Sequence, residues 1–366
     1  MRIVVLGGDG NFGARICRAL ATDRSLTIIA AGRHPAAAAA GLSTQNDHAA
    51  ALDIASPDFA TSLRALNPAL VIHCVGPFQG QDYRVARAAL SCGAHYIDLS
   101  DGRDFVAGFG AAIDGLARQA NRLAVSGAST LPALSSAVVD AYAPRFSSLK
   151  SIDTVIAPAQ RAARGVATLA GVLSYAGQPF SLWEHGAWRM AHGWQDIRRV
   201  DLGPLGKRLS AVCDVPDLAL FPGRYPGVAD VRFRAALEVG AQHLAIALLA
   251  ALRRAGLNLP IERLAPRLDT IAKWLEAFGT EIGGMTVMLL GIAQGGSACK
   301  LRWQVIAPAN HGPEIPCMAA ILLARKLAAG KMDRVGAMPC IGLIALEEYA
   351  PEFAQWGMLA GIEEWR

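Results

Sequence analysis

Three glycines near the start have the spacing that phosphate chemistry requires: Gly8-x-Gly10-x-x-Gly13, with Asn11 and Phe12 between the last two. They follow the apolar run Val4-Val5-Leu6 and precede an Ala/Leu/Ile-rich helical pattern. In that order the first glycine makes a tight turn, the second lets the backbone approach a pyrophosphate, and the third lets helix and strand pack closely. The helix N-terminus then offers free N–H groups and positive dipole to an anion. The chemistry implied is dinucleotide binding. Twenty residues past Gly13, a second buried strand over 26–31 ends at Gly32-Arg33-His34. An NAD site wants an acid there to hold the ribose 2′-hydroxyl, yet no Asp or Glu occurs from residue 24 to residue 46. Arg33, with His34 beside it, could instead pair with a 2′-phosphate. The pattern therefore favours NADP over NAD.

Further candidates follow along the chain. Asp53, at the end of a short third strand over 51–54, could accept from an adenine amino group or cap a helix starting near Ser56-Pro57. A fourth strand exits into Val75-Gly76-Pro77-Phe78-Gln79-Gly80. Loops beyond the carboxyl ends of parallel strands build the ligand crevice, so this one should border the cofactor, with Phe78 as an apolar wall. His73 lies within the strand and is expected to be a core histidine. On the fifth strand Tyr96 and Asp98 share a face by period two, and Asp101 falls in the loop beyond. Tyr96 and Asp101 are the candidate proton donors. Asp101 would need a raised pKa, which a closed apolar site provides. Gln79, Ser129 and Thr130 in the exit loops, and His311 farther on, are candidate substrate contacts. No HxH, HExxH or acid-rich cluster suggests a metal site, and no GxSxG elbow supports hydrolysis.

These residues need a frame. Six strands alternating with helices over the first part of the chain imply an α/β, doubly wound parallel sheet. The alanine run 36–40 is helix-compatible. From residue 151 the pattern changes to alternating strands over 152–157 and 231–235, helices over 165–176, 244–255 and 261–278, and strands over 286–290 and 301–306. That suggests an α+β domain on an antiparallel or mixed sheet. In it Trp183, Trp188 and Trp194, with His185 and His192, could line a pocket or be core, and Arg232 and Arg234 could meet substrate carboxylates or water. The expected division is a dinucleotide-binding domain over 1–147 followed by a substrate or dimerisation domain over 148–311.

The N-terminal half resembles the NADP-binding domain of the saccharopine dehydrogenase family. The resemblance rests on Gly8-x-Gly10-x-x-Gly13, Ala31-Gly32-Arg33, Val75-Gly76-Pro77-Phe78, Gly93-Ala94-His95-Tyr96-Ile97-Asp98-Leu99 and Gly127-Ala128-Ser129-Thr130-Leu131-Pro132, in family order. It implies a Rossmann-type fold, NADPH, and reductive chemistry on imine or carbonyl substrates. It also implies a return of the chain to the nucleotide domain after His311, so that 312–366 completes that domain and 148–311 is an insertion, with C-terminal helices over 343–366 packing there and a cleft between the halves. Relatives often carry an acid shortly after the Asp-Leu-Ser/Thr segment; here that residue would be Asp101, with a shorter side chain than the Glu of Gly-Glu.

The bulk properties agree. A chain of 366 residues, 53% hydrophobic and 18% charged, suits a two-domain buried α/β enzyme. Its net charge of +5 is scattered without a Lys/Arg block, which argues against nucleic acid and fits an anionic cofactor or acidic substrate. Seven cysteines without a CxxC pair argue for a reducing cytosol. The apolar run over 244–252 is too short to span a membrane, and the start lacks a signal-peptide pattern, so a soluble, cytoplasmic protein is expected. The function expected is an NADP(H)-dependent oxidoreductase acting on an imine or carbonyl of a small amino-acid- or polyamine-derived substrate. A homodimer is expected if the second sheet exposes an apolar face. The alternatives are a non-catalytic NADP-binding sensor or regulator, and a reductase of a lipid-like substrate.

Overall fold

The computed structural model describes residues 1–39, 42, 47–257 and 260–365. The chain forms two compact units, Met1–Leu134 with Glu314–Ile344, and Ser135–Pro313 with Ala345–Arg366. Strands are numbered along the chain. The first unit holds β1 (Arg2–Leu6), β2 (Thr27–Gly32), β3 (His48–Ala51), β4 (Leu70–His73), β5 (His95–Asp98), β6 (Leu123–Ser126) and, much later, β15 (Gly336–Pro339). All pair in parallel, in the order β15-β6-β5-β4-β1-β2-β3. β1 and β4 form because unbroken apolar runs can be buried on both faces of such a sheet.

Five helices follow the first five strands: α1 (Gly13–Ala21), α2 (Pro35–Ala39), α3 (Phe59–Ala65), α4 (Arg84–Ser91) and α5 (Arg103–Gln119). Phe59, Leu63, Val85, Ala89, Phe105 and Phe109 from α3, α4 and α5 cover Val4, Leu6, Val71 and Tyr96 on one face. Elsewhere α1 packs against the helix Ile315–Ala328, and Arg15 pairs with Glu314 at its start. Ala40, the last of the expected alanine run, lies outside the described residues. β3 covers His48–Ala51 rather than 51–54. β15 was not expected: Gly336-Ala337-Met338-Pro339 has neither alternation nor a β-branched residue, and a strand ending in proline is tolerated only at an edge.

The second unit is a mixed sheet. Its strands are β7 (Phe146–Ala157), β8 (Pro179–Glu184), β9 (Ala187–His192), β10 (Arg198–Asp201), β11 (Lys207–Val212), β12 (Asp230–Ala235), β13 (Gly283–Ala293), β14 (Ala298–Ala307) and β16 (Leu359–Trp365). The order is β10-β11-β12-β7-β13-β14-β16, with β8 on β12 and β9 on β8. β7 and β12 are parallel and the other pairs antiparallel. Residues 345–366 thus belong here and not to the nucleotide unit, because β16 pairs along β14 and its Glu363 and Glu364 meet Arg302 and Arg145. The aromatics over 180–194 are divided: Trp194 is buried against His243, while Trp183 and Trp188 meet edge-on across the β8–β9 hairpin. Arg232 is held by Glu184, Asp153 and Asp230, and Arg234 by Asp196, so both are spoken for inside the sheet. Among the described residues no helix is long and apolar enough to cross a membrane.

Candidate cofactor and active site

β1 lies between β2 and β4, so the chain leaves the sheet in opposite directions on its two sides. Open parallel sheets bind ligands at such a switch point, beyond the carboxyl ends of the strands. The turn after β1 is built for close approach. Gly7, one residue before the motif, takes the left-handed conformation (φ +78°), and the N–H groups of Gly7 and Gly8 both donate to the Ala31 carbonyl at 2.7 and 3.1 Å. A Cβ on Gly8 would stand 2.8 Å from that of Ala30, and one on Gly13 would stand 2.0 Å from the Gly7 oxygen. The tight turn therefore belongs to Gly7, and Gly8 and Gly13 are needed for packing. Gly10 N–H donates to Gly7 O at 2.9 Å. Phe12 precedes α1 without a side-chain cap, and Ala14 N–H at the helix start donates to Gly10 O at 3.0 Å, tying the turn to the helix whose positive end an anion would meet. Asn11 is in reach of Arg15. This cradle fits a pyrophosphate.

Asp9 leans from the turn onto the end of β2. Its Oδ1 lies 2.6 Å from where a Cβ on Gly32 would stand. Arg33 and His34 follow with exposed side chains.

The exits of β4, β5 and β6 are tied to one another. Gln81 Nε2 donates to the carbonyls of Val75 (2.8 Å) and Pro77 (2.7 Å), clamping the loop after β4. Gly76 and Pro77 stay at its rim. Phe78, expected as an apolar wall of this loop, is 5% exposed, edge-on to His73 and tilted on Phe105. Gln79 Nε2 donates to Asp101 Oδ1 at 3.2 Å, while Gln79 Oε1 is buried without a partner. Burial pushes the Asp101 carboxyl above its usual range against the opposing Gln79 bond.

Asp98 is the hub beneath. Its Oδ1 accepts from Ser100 N–H (2.9 Å), Gly127 N–H (2.9 Å) and the Ser126 hydroxyl (3.0 Å), and its carbonyl accepts from Ala128 N–H (2.8 Å). Burial raises its pKa to about 6. Tyr96 is fully buried, its hydroxyl 3.0 Å from His73 Nδ1, and burial together with the Asp98 charge pushes it well above its ordinary value. His73 is driven down to about 3 by burial and is neutral. Tyr96 is thus a fully buried core residue whose hydroxyl is engaged by His73, against the expectation that it donates a proton. After β6, Gly127 is left-handed (φ +79°) with Pro132 against it, Ser129 N–H donates to Gly127 O at 2.8 Å, and Thr130 is buried.

Residues 3–141 match the family model for the saccharopine dehydrogenase NADP binding domain. The match spans this N-terminal stretch and not the whole chain. That match supports an NAD(P)-dependent oxidoreductase class. No curated protein matches it in sequence. Its fold is similar to that of apo saccharopine dehydrogenase (L-Glu forming) from Saccharomyces cerevisiae, at 12% identity and a TM-score of 0.72, with 100% of both chains covered. It is also similar to C. glutamicum DAP dehydrogenase in complex with DAP, at 15% identity and TM-score 0.52, covering 97% of each chain. An engineered D-amino acid dehydrogenase bound to NADP+ gives 15% identity and TM-score 0.52, covering 97% of this chain and 98% of that one. At these identities the likeness is one of fold.

Within the NADP-binding domain the predicted residues fall on neighbouring exit loops. Gly8, Gly10, Asn11, Phe12 and Gly13 follow β1; Arg33 and His34 follow β2; Val75, Gly76, Pro77, Phe78 and Gln79 follow β4; Asp101 follows β5; Ser129 and Thr130 follow β6. Asp53 follows β3, where its Oδ1 accepts from Ala55 N–H at 2.9 Å. That is a local turn and not a helix cap, since α3 starts at Phe59 behind Asp58. His311 belongs to the second unit, where its Nδ1 is 3.0 Å from the Trp356 carbonyl and its ring sits edge-on to Trp356. Gly7, Asp9, Gln81 and Asp98 were missed. Asp98 had a signal, its shared face with Tyr96; Gln81 had none.

Proposed function

We propose that the chain is an NADPH-dependent reductase of an imine or carbonyl in a small amino-acid- or polyamine-derived substrate. The observation that carries this is the Gln79–Asp101 pair, which sets a carboxyl of raised pKa and an unpartnered amide oxygen on the exit loops of β4 and β5. NADPH, held by the glycine turn and by Arg33 at its 2′-phosphate, would supply the hydride. Asp101 is the proton donor, and Gln79 fixes its orientation while its own Oε1 accepts from a substrate N–H. Val75, Gly76 and Pro77 border the cofactor, with Asp53 facing the adenine side. Ser129 and Thr130, on the loop after β6, are assigned to substrate. The fold likeness to amino-acid dehydrogenases supports the substrate class.

The test is NADPH oxidation by the full chain with mixtures of amines and 2-oxo acids that form imines. Turnover is expected, and Asp101→Asn should lower kcat by about 10²- to 10⁴-fold, the usual contribution of a general acid. The rate should fall as pH rises through the raised Asp101 pKa, because the donor must be protonated. NADPH binding with no turnover across the panel would overturn this reading in favour of a sensor. We also expect a homodimer; the exposed Trp274 (75%) and Phe278 (78%) of the second unit favour it. A monomer mass by light scattering would remove that expectation.

A further inference from the structure

Resting on the coenzyme reading above, we propose that Asp9 is a specificity-determining residue that reads the 2′ position of the coenzyme's adenosine ribose in opposition to Arg33. A dinucleotide site that takes a free 2′-hydroxyl places a carboxylate at the tip of the second strand, and in most chains that strand supplies it. Here β2 and the residues after it contain no acid up to residue 46. The fold brings one to the same place from the glycine turn. Asp9 Oδ1, Cγ and Oδ2 lie 2.6, 3.3 and 3.6 Å from the position a Cβ would take on Gly32, the last residue of β2.

The placement is fixed by backbone and not by a passing side-chain rotamer alone. The residues before Asp9 are held to β2 by Gly7 N–H and Gly8 N–H on the Ala31 carbonyl, and Gly8 lies flush on Ala30. Gly10 N–H closes the turn on Gly7 O. Asp9 therefore leaves the turn directly above Gly32, and Gly32 lacks a side chain where the carboxylate sits. The next residue is Arg33, whose exposed guanidinium follows β2 on the same tip. A 2′-hydroxyl can donate to Asp9, and a 2′-phosphate is repelled by it; Arg33 has the opposite preference. Two opposed charges at one strand tip set the ratio of affinities for the two coenzymes.

The experiment is titration of the full-length chain with NADH and with NADPH, repeated with ADP and its 2′-phosphorylated counterpart, followed by fluorescence or calorimetry. Asp9→Asn removes the charge. Gly32→Ala leaves the charge and displaces it, because the new methyl would stand 2.6 Å from Oδ1. Both variants should shift the Kd ratio toward the 2′-phosphorylated ligands by about tenfold or more, the scale of one unscreened charge contact. Arg33→Ala should shift it the other way. An unchanged ratio in both Asp9→Asn and Gly32→Ala overturns the proposal while the coenzyme reading stands. Failure of the wild-type chain to bind any of the four ligands overturns the coenzyme reading and this proposal with it.

Discussion

At the scale of single residues, the most consequential group is one that touches no ligand. Asp98 joins the exits of β5 and β6 through Ser100, Ser126 and Gly127. Its folded pKa, about 6, lies above the ordinary carboxylate value, so the native state holds this proton more tightly than the unfolded chain. The contribution is fully present below about pH 4 and is lost as pH rises toward 6, a loss of order 2–3 kcal/mol. Asp98→Asn keeps the acceptor without the charge and should lack that slope in urea unfolding measured from pH 4 to 7. Asp98→Ala should cost about 3–5 kcal/mol at pH 4, where the wild type is most stable, and less at pH 7, since it strands two buried N–H groups and a hydroxyl. A variant pair with equal stability would show that the hub is not holding the loops. Residue types were legible in the sequence here; partners were not. Period two placed Tyr96 and Asp98 on one face, but no local rule said that the face is sealed by Phe109 and His73. Arg232 and Arg234 were likewise seen to share a face, and only the fold supplies the acids that claim them.

At the scale of elements, β1, β2, β4 and β6 could be read directly, because a strand buried on both faces is mostly an apolar run. The two strands nearest the C-terminus could not. β16 is exposed along its whole length at the edge of its sheet, so no burial period is imprinted on Leu359-Ala360-Gly361-Ile362-Glu363-Glu364-Trp365. The glycine turn gives the sharpest prediction at this scale. Gly13→Ala would drive a methyl into the Gly7 carbonyl, so α1 must move away from β1. We expect a loss of about 3 kcal/mol of stability and of NADPH binding together. Gly10→Ala, whose Cβ would meet only Gly7 O at 3.1 Å, should fold nearly normally and lose affinity alone. Thermal unfolding beside a binding titration separates the two; equal effects in both assays would show that the glycines have the same job.

At the scale of the molecule, the nucleotide-binding loops all belong to one unit, which the chain leaves at Leu134 and re-enters at Glu314. NADPH at about 100 times its Kd should stabilise the native chain by about 2.7 kcal/mol if it binds the folded form only. Scanning calorimetry with and without the nucleotide reads this, and an unmoved transition at saturating NADPH would contradict the assignment of the cradle.

The place of β15 has a further consequence for how the protein is made. Its partner β6 ends at Ser126, but β15 itself begins at Gly336, and the helix that covers α1 begins at Ile315. During synthesis on the ribosome the first six strands emerge early and must wait, with the β6 edge unpaired, until Gly336–Pro339 has been translated about two hundred residues later. Exposed strand edges of that kind recruit other chains. The nascent nucleotide unit therefore carries an open β-edge at β6 until its last strand arrives.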